Sequence, residues 1–149
     1  ISKAITDIER MGDEIERIAR LVTKQKLPTD VAIKSSMLSI GQQAVAMMRG
    51  TFDAFARLDE EAALEVYDQD NSIDSEYKKL LSYTADEMSR SGDSMEDWLE
   101  ILWALRSLER IGDRCKNICE YVVSLTSGRD VRHTPLENLQ QKLDNISES

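Results

Sequence analysis

Glu9 and Asp13, and again Glu109 and Asp113, set two carboxylates four residues apart. On a helix that spacing stacks both side chains on one face, where like charges repel by roughly 0.2–0.5 kcal/mol unless a cation compensates. Hard divalent or trivalent cations take oxygen ligands, and two carboxylates one turn apart can chelate or bridge them. Asn117 adds a carbonyl oxygen one turn beyond Asp113. Arg17 holds the matching place in the first copy, and an arginine cannot ligate a metal, so the first site is expected to be the weaker. Asp70 and Asp74 repeat the same spacing. Asp70 falls inside the apolar stripe Val66, Ile73, Tyr77 and Leu80, and a carboxylate there needs a partner: a metal ion, or Lys78, Lys79 or Arg106 as an ion pair. The metal-ligand candidates are therefore Glu9, Asp13, Asp70, Asp74, Glu109, Asp113 and Asn117. Arg10, Arg17, Arg110 and Arg114 flank the doubled pairs and offer plain salt bridges instead.

Other chemistry finds little support, and no catalytic residue is assigned. The single histidine, His133, sits in a polar tail beside Thr134-Pro135, and no nucleophile elbow, phosphate loop or dinucleotide-binding glycine pattern occurs. Cys115 and Cys119 lie one helical turn apart on the apolar stripe of Ile111 and Val122, which suits buried, reduced thiols in a cytoplasmic protein. The net charge of −9 over 149 residues argues against nucleic acid as a partner. No run is long and apolar enough to span a bilayer. The methionines read mostly as core filler, although Met47-Met48 suits the wall of a helix-binding groove.

The elements that must position these groups come from one internal duplication. Ile8-Glu9-Arg10-Met11-Gly12-Asp13 returns 100 residues later as Leu108-Glu109-Arg110-Ile111-Gly112-Asp113, and the frame extends from Ile5 and Leu105 to Val22 and Val122. Apolar residues at helical spacing and only two prolines predict an all-α chain. The first helix is expected over 1–24, the second from a cap at Thr29 or Asp30 to about Leu58, the third over 60–89 after a cap at Asp59, and the fourth over 95–127. A further helical run is expected over 136–146. The organisation follows as the last helix of a first repeat (1–27), a complete three-helix repeat (28–128) and a polar tail (129–149), a fragment of a longer duplicated protein. In the first helix Ile5, Ile8, Ile15, Ile18 and Val22 should face inward. On the fourth, Glu109, Asp113, Lys116, Asn117 and Glu120 should point away from its own bundle, so that the Asp70 pair and the Glu109 pair need not meet.

The doubled Glu-Arg-x-Gly-Asp, its continuation Arg114-Cys115-Lys116-Asn117-Ile118-Cys119-Glu120, the run Phe52-Asp53-Ala54-Phe55-Ala56-Arg57 and the late Arg132-His133 resemble the PhoU family. The resemblance implies similar three-helix bundles related by pseudo-symmetry, in a cytoplasmic, non-catalytic homodimer. It also implies a negative regulator of the phosphate-starvation regulon. Such a protein accompanies the high-affinity phosphate transporter and joins the transporter's nucleotide-binding subunit to the phosphate sensor histidine kinase. Some members hold metal ions, including iron clusters, at Glu-x-x-x-Asp motifs. That carries over to Glu9 and Asp13, to Glu109, Asp113 and Asn117, and to Asp70 and Asp74, with iron, zinc, magnesium or manganese as the ion. The alternative is a metal-dependent helical bundle doing redox or hydrolytic work, but the Glu-x-x-His pairs of di-iron bundles are missing.

Overall fold

The computed structural model describes residues 2–23 and 30–127. They form α1 (Ser2–Thr23), α2 (Val31–Arg57), α3 (Glu60–Arg90) and α4 (Met95–Ser127), and no strand occurs among the described residues. His133 and the run expected over 136–146 lie outside the described residues.

The helix ends follow from local chemistry. Asp30 keeps extended backbone, and its carboxylate accepts a hydrogen bond from the Ile33 N–H at 2.8 Å, which starts α2. Leu58 ends α2 in the left-handed region at φ 52°. That conformation costs an L-residue roughly 1–2 kcal/mol. Asp59 follows at once and caps α3 by accepting from the Ala62 N–H at 3.0 Å, an interaction of about 1 kcal/mol that offsets much of the cost. Between α3 and α4 the Trp98 indole N–H donates to Ser91 Oγ at 2.8 Å and folds the ring back over the turn.

α2, α3 and α4 form an antiparallel three-helix bundle. Its register is set by Gln43 with Glu76 (2.8 Å) and Ser72 (3.2 Å) between α2 and α3. Between α3 and α4 it is set by Thr126 with Glu60 (2.8 Å) and Lys116 with Asp70 (3.0 Å). Ile33, Ile40, Met47, Ile73, Leu105, Ile118 and Val122 are fully buried, each contributing about 1.5–3 kcal/mol through apolar surface removed from water.

α1 packs on α4, and of the row expected to face inward Ile18 alone lies in the contact. Ala4, Asp7, Met11, Glu14, Ile18 and Leu21, alternating three and four apart, run along the seam, while Ile5, Ile8, Ile15 and Val22 remain 50, 36, 42 and 51 % exposed. The physical reason lies in the repeat. Ile5, Ile15 and Val22 correspond to Leu105, Cys115 and Val122, which are buried because α2 and α3 cover them. Among the described residues α1 packs chiefly on α4, which leaves one of its two rows open. Ile15 and Val22 of the open row and the outer face of α2 (Leu38, Val45, Met48, Phe52) line an apolar groove of about 810 Å³. Of the two methionines expected there, Met48 lines it and Met47 is buried in the core.

Candidate functional site

The placement of Asp70 rests on a single glycine. A Cβ at Gly112 would lie 2.6 Å from Asp70 Oδ1. Without one, α3 closes on α4 there and buries the Asp70 carboxylate, 1 % exposed, against the Lys116 ammonium at 3.0 Å. That ammonium also stands 5.0 Å from the centroid of the Tyr67 ring, a cation–π contact. The ion-pair partner of Asp70 is therefore Lys116, and not Lys78, Lys79 or Arg106. The antiparallel register sets residue 70 beside residue 116, whereas Lys78 and Lys79 point to solvent and Arg106 reaches Glu109 at 2.9 Å.

The close approach also corrects the expected separation of the two acidic pairs. Glu109 and Lys116 sit on the flank of the α4 apolar arc, next to Gly112, so α3 covers that flank instead of leaving it outward. Asp70, Asp74 and Glu109 consequently share one seam, with Asp113 exposed at its rim as expected, and the charges of Asp74 and Asp113 act on both Asp70 and Glu109. Burial raises the Glu109 carboxyl above its ordinary value, and the Asp113 charge adds to this against the opposing Arg106. Burial likewise raises Asp70, with Lys116 opposing.

The donor set on this seam is all oxygen, and the buried Glu109 Oε2 has no hydrogen-bond partner. Both features fit a hard cation. Among the described residues, however, no three carboxylate, imidazole or thiolate groups converge as a ready-made metal site, and Lys116 and Arg106 already supply positive charge. Glu9 and Asp13 are exposed on α1, outside this seam. Asn117 is also exposed, and its Nδ2 makes a long contact of 3.5 Å with Asp7 Oδ1.

A second polar seam, between α1 and α4, takes Arg110 and Arg114 into salt bridges, as their place beside the motif suggested, but with Asp7 and Glu14 in place of the motif carboxylates. Glu14 is buried and accepts from Ser107 Oγ at 2.7 Å and Arg110 Nη1 at 3.2 Å. Arg114 Nη1 pairs with Asp7 Oδ1 at 3.2 Å. Shifting each residue by the 100-residue repeat turns the Glu14–Ser107 contact into the Arg114–Asp7 contact, so the seam has a pseudo-twofold axis. The signal that points to Asp7 and Glu14 is the three-four spacing they share with Met11 and Leu21. Cys115 and Cys119 are free and buried, as expected, and burial pushes their thiols up to about 11 and about 12, which keeps them protonated and unreactive at neutral pH.

A family model described as PhoU domain matches residues 37–122. A phosphate-specific transport system accessory protein PhoU homolog of Pseudomonas aeruginosa is 39 % identical over 149 residues, covering 97 % of this chain and 60 % of the relative. The homolog of Pseudomonas putida is 42 % identical over 143 residues (93 % and 55 %). The accessory protein PhoU of Escherichia coli is 34 % identical over 143 residues (96 % and 59 %). The chain thus spans between 55 and 60 % of the length of these relatives. No solved structure shows a significant match.

Proposed function

The chain belongs to the PhoU family, and from that premise we propose that it is a non-catalytic accessory protein of phosphate transport and signalling. In this reading it is a cytoplasmic homodimer that represses the phosphate-starvation regulon by joining the nucleotide-binding subunit of the phosphate transporter to the sensor histidine kinase. The names of its relatives support the phosphate role. No helix among the described residues is long and apolar enough to cross a membrane.

The observation that carries the adaptor reading is the open face along the α1–α4 seam. Arg10, Asp13 and Arg17 on α1 and Asp113 and Asn117 on α4 are all exposed there, a mixed-charge surface of the kind that orients a partner. Asp113→Lys with Arg17→Glu should weaken binding to the nucleotide-binding subunit or the kinase by about ten-fold, mainly through slower association, and derepress phosphate-starvation genes in phosphate-rich medium. Wild-type affinity for both partners together with normal repression would refute the adaptor reading.

The partnerless Glu109 Oε2 favours a second property, metal binding on the α3–α4 seam. Glu109 and Asp113 would hold the ion, with water completing its shell, and the ion would supply neutralising charge beside α3. Manganese and iron content measured on purified protein should fall in Glu109→Gln with Asp113→Asn, and fall less in Glu9→Gln with Asp13→Asn. Equal content in wild type and both variants would leave the ion pairs as the whole account of this seam.

A further inference from the structure

We infer that the polar pocket between the start of α1 and the C-terminal half of α4 binds a phosphate-class oxyanion. The pocket is about 660 Å³ in volume, and its charged lining consists of Lys3, Arg10, Arg114, Asp7 and Glu120. The regulatory meaning of such a site rests on the phosphate-signalling role proposed above, whereas the binding itself is read on purified protein without partners.

The argument comes from a break in the pseudo-twofold symmetry of the α1–α4 seam. In one half, Arg110 meets the Glu14 carboxylate at 3.2 Å. The equivalent pair in the other half, shifted by the repeat, is Arg10 with Arg114, so a guanidinium stands where the carboxylate should be. Of the two carboxylates at hand, Asp7 is already engaged by Arg114 at 3.2 Å and Asn117 at 3.5 Å. Glu120 accepts a hydrogen bond from the Tyr67 hydroxyl. Lys3 adds a third cation, and neither it nor Arg10 forms an ion pair with any described residue. In a chain whose net charge is −9, three cations against two carboxylates in one pocket depart from the average in the direction an anion would require.

The chemistry of the lining narrows the ligand. Guanidinium forks match phosphate oxygens two at a time. Carboxylates only accept hydrogen bonds, so Asp7 and Glu120 repel a fully ionised sulfate yet can accept from the O–H of a protonated phosphate. The volume exceeds what a bare phosphate fills, leaving room for the organic part of a small monoester.

Calorimetric titration at fixed ionic strength, with inorganic phosphate, glycerol 3-phosphate and sulfate as probes, tests this. One of the two phosphates should bind about ten-fold or more tightly than sulfate, and the tighter of them names the source. Arg10→Gln should weaken that binding about ten-fold, the usual consequence of losing a charge-assisted contact. Asp7→Ser with Arg114→Glu rebuilds in this half the arrangement Ser107 and Glu14 make in the other. It should abolish binding while helicity and Tm are kept. No phosphate binding on the order of 1 mM, sulfate bound as well as phosphate, or binding indifferent to Arg10→Gln would overturn the inference. Intact phosphate binding in a protein that fails to repress would instead count against the adaptor role alone.

Discussion

Gly112→Ala is expected to destabilise the protein by about 2–4 kcal/mol, while the same change at the equivalent Gly12 should be neutral or stabilise by up to ~1 kcal/mol. Both glycines belong to copies of one motif, and both sit inside helices, where glycine alone costs roughly 1 kcal/mol relative to alanine. A Cβ at residue 112 would stand 2.6 Å from Asp70 Oδ1, and Asp70 cannot withdraw without leaving Lys116. A Cβ at residue 12 meets nothing within 4 Å, so only the gain in helix propensity remains. Urea unfolding followed by circular dichroism separates the two through the midpoint at constant m-value. Equal midpoints for the two variants would mean that α3 does not depend on the glycine for its approach.

The second large effect is expected at the ion pair beneath that glycine. Lys116→Met should cost about 3 kcal/mol, the lower end of the range for breaking a buried pair, because the Lys116 side chain keeps 23 % exposure while that of Asp70 has 2 %. The loss comes less from the missing attraction than from the Asp70 carboxylate left buried without a counter-charge. Asp70→Ala with Lys116→Met removes both charges and should therefore recover at least half of the loss, a coupling that a double-mutant cycle measures. If the double variant is as unstable as the sum of the singles, the two residues act independently and the seam is held by packing alone.

Much of the fold is legible in the residue order. The caps at Asp30 and Asp59, the turn at Leu58 and the start of α4 at residue 95 all follow from side chains within a few residues of the event. The burial of Cys115 and Cys119 follows from their place on one apolar arc. The partner of Asp70 does not: it lies 46 residues away at Lys116, and a register between antiparallel helices is set by the whole seam rather than by the flanking sequence. The α1–α4 seam is hidden from a hydrophobic pattern because its buried row includes Asp7 and Glu14, polar residues that such a pattern assigns to solvent.

The amino-acid order alone determined where helices begin and end, that the chain repeats itself, and which residue types recur at each helical face, since capping and periodicity act over one or two turns. Which face became interior was decided by tertiary structure. α1 and α4 carry the same apolar row, yet that row is covered in α4 by α2 and α3 and open in α1, because burial depends on which neighbours arrive. The flank of α4 turned from surface to seam for a related reason: an absent side chain at Gly112 removed the obstacle that keeps a neighbouring helix at distance, and the charges beside it were buried as a consequence.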